Sequence, residues 1–229
     1  MATGCGVKIC GTTSLADARL AAEHGADCFG VVIEVDFSPR SLTIEEARPL
    51  FADPPLPGVA LVFNMEPDRV GRLVDTLRPH AVQFLNLEEL SHIRKLKQEY
   101  PEMEVWQSIH LPEAGREVDL QRFQQTVRNY VDAGADLLIF DTVAVLNGVT
   151  KFGGTGLVSD WDLVKQLIDQ SGSKVPIWLA GGINPDNVVE AIRTVRPDGV
   201  DLCSGVEASP GIKDPDKVRL LIKRAKSTQ

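Results

Sequence analysis

The stretch Pro176-Ile177-Trp178-Leu179-Ala180-Gly181-Gly182-Ile183-Asn184-Pro185 decides how this chain folds. A short apolar run stops at two glycines. Asn184-Pro185 then offers a helix N-cap followed by proline at the first helical position. Proline suits that position because its missing N–H would have no partner in the first turn. The helix predicted over 185–195 leads through Arg196-Pro197-Asp198-Gly199 into a second apolar run over 200–203. Strand, glycine loop, helix and strand in that order form a βαβ unit.

The same alternation runs through the whole chain. Strands are expected over 7–10, 27–33, 59–63, 81–85, 104–109, 136–141, 176–180 and 200–203. Helices are expected over 14–24, 44–51, 66–78, 87–100, 118–133, 160–170, 185–195 and 215–226. Thr43-Ile44-Glu45-Glu46 reads as a capping box, Asp214-Pro215 as a second cap-and-proline start, and Gly25 and Gly134 as helix ends. Gly25-Ala26-Asp27 recurs as Gly134-Ala135-Asp136, and Arg78-Pro79-His80-Ala81-Val82 as Arg196-Pro197-Asp198-Gly199-Val200. Both recurrences fit two similar half-barrels, or turns that reuse the same residues. A chain of 229 residues with this alternation fits a single-domain α/β fold over 1–229, a (β/α)8 TIM barrel. An open doubly wound sheet is the alternative, disfavoured because no GxGxxG follows the first strand.

The formal net charge of −8 argues against nucleic acid or an anionic membrane as partner. It leaves room for a small anionic ligand held by an arginine and by backbone N–H groups. No apolar run is long enough to span a membrane, and the N-terminus lacks a signal-peptide pattern. Cys5, Cys10, Cys28 and Cys203 show no metal spacing and the histidines are scattered. The expectation is a reduced cytoplasmic protein without a structural metal, either a monomer or a homodimer.

Barrel chemistry sits at the C-terminal ends of the strands. Cys10 ends the first strand, and Lys8 points to the same side, where its ammonium would favour a thiolate. The other reading of Cys10 is a buried structural cysteine. Asp141 ends the sixth strand after Leu137-Leu138-Ile139-Phe140, where desolvation suits a carboxyl to donate a proton; a turn aspartate is the alternative. Arg40, in the loop after the second strand, suits carboxylate or phosphate, but read alone it is a solvated surface arginine. Glycine loops after the last three strands (Gly153-Gly154-Thr155-Gly156, Gly181-Gly182 and Ser204-Gly205) point to phosphate binding. Asp201 and Lys8 are expected on adjacent strands as a structural ion pair. Cys203 falls near Cys10, where a disulfide would be inhibitory, although a reducing cytosol opposes it. Trp106, Trp161 and Trp178 read as core or rim packing.

These residues resemble the phosphoribosylanthranilate isomerase family along nearly the whole chain. The resemblance rests on Val7-Lys8-Ile9-Cys10-Gly11, Ser38-Pro39-Arg40, Asp141-Thr142, Gly153-Gly154-Thr155-Gly156, Asp160-Trp161, Ala180-Gly181-Gly182-Ile183-Asn184-Pro185 and Ser204-Gly205-Val206-Glu207. It implies an Amadori rearrangement in tryptophan biosynthesis, without a cofactor. Cys10 would be the general base and Asp141 the general acid. Arg40 would hold the anthranilate carboxylate, and Gly154, Gly181, Gly182, Ser204 and Gly205 the phosphate. The chain departs from the family's Gln-Leu-His-Gly with Gln83-Phe84-Leu85-Asn86, from its Lys-Ala with Gln107-Ser108, and from its lysine and phenylalanine with Leu157 and Ser159. These changes leave two alternatives open: an isomerase of another N-substituted ribosylamine phosphate, or a phosphate-binding barrel without catalysis.

Overall fold

The computed structural model describes residues 4–111, 118–146, 149–152 and 160–228, with the backbone alone over 142–146 and 149–152. The barrel strands are β1 (Gly6–Ile9), β2 (Cys28–Ile33), β3 (Gly58–Val62), β4 (Ala81–Phe84), β5 (Glu104–Leu111), β6 (Leu137–Leu146), β7 (Ile177–Ala180) and β8 (Gly199–Leu202). Each pairs in parallel with its neighbour, and β1 pairs with both β8 and β2, so the sheet closes. The helices are α1 (Leu15–Glu23), α2 (Ile44–Ala52), α3 (Pro67–Leu77), α4 (Leu90–Glu99), α5 (Leu120–Ala133), α6 (Trp161–Ser171), α7 (Val188–Val195) and α8 (Pro215–Lys226). The (β/α)8 architecture is the one expected.

Two local readings need correction. β6 was expected to stop at Asp141, but it continues to Leu146 and folds back antiparallel onto Val149–Phe152. The continuation Val143-Ala144-Val145-Leu146 favours a strand, and Asn147-Gly148 is a pair suited to a two-residue hairpin turn. Asn184-Pro185 does not open α7 directly. The Asn184 side chain instead accepts from the Asp186 N–H at 2.8 Å, closing a turn over Pro185, and α7 begins only at Val188. The other starts hold. Thr43 and Glu46 cap each other reciprocally, and Asp214 accepts from the N–H groups of Asp216 and Lys217.

Strand register sorts each side chain to the barrel interior or to the helix layer. Lys8, Cys28, Gly30, Leu61, Gln83, Ser108, Ile139, Asp141 and Asp201 all face inward by this alternation. Valines, isoleucines and phenylalanines of opposite parity, such as Val7, Phe29 and Phe140, pack against the helices. The floor of the barrel is filled by Trp106 and Trp178, whose ring centroids lie 5.5 Å apart. Trp178 lies so close over β8 that a Cβ at Gly199 would meet its ring at 2.3 Å. These two tryptophans are packing residues, as expected, and Trp161 packs against the outer core.

Above this floor Lys8 bonds Asp201 at 2.8 Å, and the lysine is 0 % exposed. Burial disfavours its charge, but the Asp201 carboxylate overcomes this and raises the Lys8 pKa above its ordinary value. The expected structural ion pair is therefore present, and it ties the last strand to the first. Removing one partner of such a pair strands the other charge in the core. Asp201→Ala should lose about 3–5 kcal/mol in urea unfolding. The double replacement Lys8→Met with Asp201→Leu should recover most of that loss, because no charge is then left without a partner.

Candidate active site

Cys10 leaves the end of β1 with its N–H bonded to the Leu202 carbonyl at 2.7 Å. Continuing the register of Ile9 with Leu202 puts Cys10 beside Cys203, both thiols on the inner face. A hydrogen bond from the Cys203 thiol holds the Cys10 pKa down at about 7, against the burial that would raise it. Lys8 and Lys213 add smaller electrostatic contributions in the same direction. The same contact pushes the Cys203 thiol well above its ordinary pKa, and Cys203 Sγ also lies 3.9 Å from Glu207 Oε1. Lys8 is thus not the main source of thiolate stabilisation expected from the sequence, since its ammonium is matched by Asp201.

Arg40 is not the solvated surface arginine that its loop suggested. Its side chain is only 13 % exposed, and it clamps Glu207 through Nε at 2.8 Å and Nη2 at 2.6 Å. Glu207 also accepts from Lys213 Nζ at 3.0 Å and from the Gly211 N–H at 3.2 Å. Burial opposes its charge, but the Arg40 clamp and Lys213 hold its carboxyl below the usual range. Lys213 spans the two groups, since it also donates to the Cys10 carbonyl at 2.5 Å. Glu207 and Lys213 were missed as site residues. The signal for Glu207 was the motif Ser204-Gly205-Val206-Glu207, in which only the serine and glycine were given a role, and Lys213 follows six residues later in Pro210-Gly211-Ile212-Lys213-Asp214.

Asp141 sits on the inner face within β6, buried, rather than in a turn. Going round the barrel, β7 and β8 separate it from Cys10. Those strands carry the glycine loops. Gly181 and Gly182 have φ of 96° and 64°, where side chains are disfavoured. Asn187 braces this loop by donating to the Gly182 carbonyl at 3.0 Å. Ser204 and Gly205 open a single 3-10 turn, so their N–H groups have no acceptor within it. A Cβ at Gly205 would lie 2.0 Å from the Ile183 carbonyl oxygen, so the β7 and β8 loops meet only through glycine. Gly154, the third loop's contribution, lies outside the described residues, as do Leu157 and Ser159.

On the opposite wall, parity divides the departures from the family pattern. Gln107 faces the helix layer, where its Nε2 donates to the Asn86 carbonyl at 2.6 Å, so it does not line the mouth. Ser108 faces inward and bonds Gln83 Nε2 at 3.1 Å. One residue pair further, His110 stands in register with Asp141, and its Nε2 lies 2.5 Å from the Leu85 carbonyl. His110 was also missed. It falls one residue beyond the predicted end of its strand, past the point where inward-facing positions were being counted. Near Arg40, Phe37 is 57 % exposed and meets Phe63 edge-on, giving the mouth an aromatic border. Among the described residues there is no group of three or more metal-ligating side chains, and no helix long and apolar enough to cross a membrane.

A family model described as N-(5'-phosphoribosyl)anthranilate isomerase matches residues 7–224. The chain belongs to this family. A relative from Methanocella arvoryzae bearing that name is 37 % identical, with 97 % of this chain and 99 % of the relative covered. The phosphoribosyl anthranilate isomerase of Thermotoga maritima superposes with a TM-score of 0.79 at 31 % identity, covering 96 % of this chain and 98 % of its own. A further family structure holds reduced 1-(o-carboxyphenylamino)-1-deoxyribulose 5-phosphate and superposes with a TM-score of 0.76 at 30 % identity, with 96 % and 98 % covered.

Thiolate, not thiol, reacts with alkylating agents. The rate of Cys10 carboxamidomethylation should therefore rise with pH through about 7. In Cys203→Ala, which lacks the donor, the midpoint should move upward. An unchanged midpoint would mean that the Cys203 thiol does not stabilise the Cys10 thiolate.

Proposed function

We infer that this chain isomerises N-(5'-phosphoribosyl)anthranilate to 1-(2-carboxyphenylamino)-1-deoxyribulose 5-phosphate, the Amadori step of tryptophan biosynthesis. The observation that carries this reading is the pairing, at one barrel mouth, of a thiol with a pKa near 7 and a buried carboxyl, with two glycine loops on the strands between them.

The roles follow from that arrangement. The β7 and β8 loops take the phosphate on the N–H groups of Gly181, Gly182, Ser204 and Gly205. Gly154 would add to the same cradle. Asp141 protonates the furanose oxygen. The bond from that oxygen to C1′ breaks, and the aniline nitrogen donates its lone pair to form a C1′ iminium. The Cys10 thiolate then removes the C2′ proton, and the released electron pair flows to the iminium nitrogen to give an enolamine. Protonation of C1′ with loss of the C2′ hydroxyl proton yields the ketone. The nitrogen of the substrate is the electron sink, so the scheme uses no cofactor. Arg40 keeps Nη1 for the anthranilate carboxylate while Glu207 fixes its other two donors. A general base works best with a pKa near the working pH, and a value of about 7 suits Cys10 to that task.

This reading places the protein in the reducing cytoplasm, where Cys10 and Cys203 remain thiols. It works as a monomer or as a homodimer, the latter in line with the Thermotoga maritima relative described as dimeric.

The test is consumption of phosphoribosylanthranilate, followed by loss of its fluorescence. Wild-type protein should turn it over, and Cys10→Ala and Asp141→Asn should each lose about 10²–10⁴-fold in kcat with unchanged circular dichroism. Faster turnover of a different ribosylamine phosphate would overturn the substrate, and full activity in either variant would overturn that residue's role.

A further inference from the structure

We propose that Cys10 and Cys203 form a reversible redox switch, in which a hydroperoxide joins the two sulfurs as a disulfide across β1 and β8 and so takes the base out of the active site. The bond rests on the geometry of the two thiols; its effect on turnover rests on the isomerase reading above.

Three observations lead to it. First, reach. The β1–β8 ladder pairs Ile9 with Leu202, and the Cys10 N–H carries it one step further onto the Leu202 carbonyl at 2.7 Å. Register partners on neighbouring strands stand about 4.8 Å apart. A disulfide needs Cα atoms about 4.4–6.8 Å apart, so the backbone need not move to form one. The two thiols already share a hydrogen bond. Gly11 keeps the space open, because a Cβ there would meet Cys203 Sγ at 2.8 Å.

Second, choice of partner. Cys28 pairs with Lys8, two residues back along β1 and deeper in the barrel. Cys5 precedes β1, and its thiol meets the Pro197 carbonyl at the opposite barrel face. Burial pushes the Cys5 thiol up to about 12 and raises the Cys28 thiol as well, so neither is a nucleophile near pH 7. Of the four cysteines, Cys203 is the one placed to resolve an oxidised Cys10.

Third, the order of the chemistry. Thiolate is the form that attacks a peroxide, and a pKa of about 7 makes Cys10 the first sulfur to react. Its sulfur takes one peroxide oxygen. The S–O bond forms, the O–O bond breaks, and the departing oxygen picks up a proton and leaves as water or an alcohol. Cys10 is then an uncharged sulfenic acid. Contact with Cys10 is the first cause of the raised Cys203 pKa, followed by burial, while Lys213 and Arg40 pull it down. Loss of the Cys10 charge therefore makes Cys203 the better nucleophile. Its sulfur attacks the sulfenic sulfur, the S–S bond forms, the S–O bond breaks, and hydroxide leaves with the Cys203 proton as water. The sulfur pair is oxidised by the two electrons that the peroxide gains. A disulfide sulfur cannot take the C2′ proton, so turnover stops. Cellular thiols reverse the bond, as befits a transient disulfide in a reducing compartment.

The test treats reduced wild-type chain with hydrogen peroxide and then returns half of it to dithiothreitol. Each portion is read by intact mass, by peptide mapping and by turnover relative to its own reduced sample. Wild type should lose about 2 Da as one bond joins Cys10 to Cys203, and dithiothreitol should restore the mass. Its turnover should fall more than about tenfold and return with dithiothreitol. Cys203→Ser should form no such bond; its Cys10 should instead gain about 32 Da as the sulfinic acid, which dithiothreitol does not reverse. A wild-type mass that rises instead of falling, a disulfide to another cysteine, or full turnover in the disulfide form would overturn the proposal. Reduced wild type without turnover would overturn the isomerase reading, a distinct result, while mass and mapping still decide the bond.

Discussion

Closure between β8 and β1 is the constraint on which the site depends. The two strands are far apart in sequence, and each alone would be a sheet edge. Their joining buries the Lys8–Asp201 pair and stacks Cys10 beside Cys203. It also brings Lys213 from beyond β8 onto the Cys10 carbonyl. The Cys10 thiol thus gains its low pKa from a residue that arrives only when the barrel is complete. An unclosed barrel would leave Cys10 without the Cys203 hydrogen bond and Lys8 without its counter-charge. Folding and activation of the thiol are in this sense one event.

The second device is charge balance around Glu207. Arg40 and Lys213 bring two cations to a half-closed mouth, and a single buried carboxylate orders both. Bidentate contact fixes the guanidinium plane and leaves one edge of the fork for a ligand carboxylate. The net charge of −8 therefore does not repel the anionic substrate from this site. Local donors, two of them cationic and the rest backbone N–H groups, decide the field at the mouth.

The barrel was legible in the sequence because its signals are local. Alternating short apolar runs, capping pairs such as Thr43 with Glu46, and glycines at strand ends each depend on a few adjacent residues. Positions at strand ends could be assigned for the same reason, which is why Cys10 and Asp141 were named from the sequence. The contacts that give them their character are not local. That Cys203 stabilises the Cys10 thiolate depends on register between the first and last strands, and that Glu207 clamps Arg40 joins residues 167 apart in sequence, so no window of sequence contains both partners of either contact. His110 escaped for a different reason. Its strand runs two residues past the predicted end, and strand ends are where periodicity weakens. The continuation of β6 into a hairpin was missed although its Asn147-Gly148 signal is local, because the strand was taken to end at its carboxylate.

The most direct test of this arrangement is a crystal structure of the chain with the reduced product analogue bound. The expected result has the phosphate on the N–H groups of Gly182 and Gly205 and the anthranilate carboxylate at Arg40. The atom corresponding to C2′ should lie about 3–3.5 Å from Cys10 Sγ, the separation that a reacting pair requires. The ligand reversed in the mouth, or its C2′ atom facing away from Cys10, would contradict the assignment of base and acid.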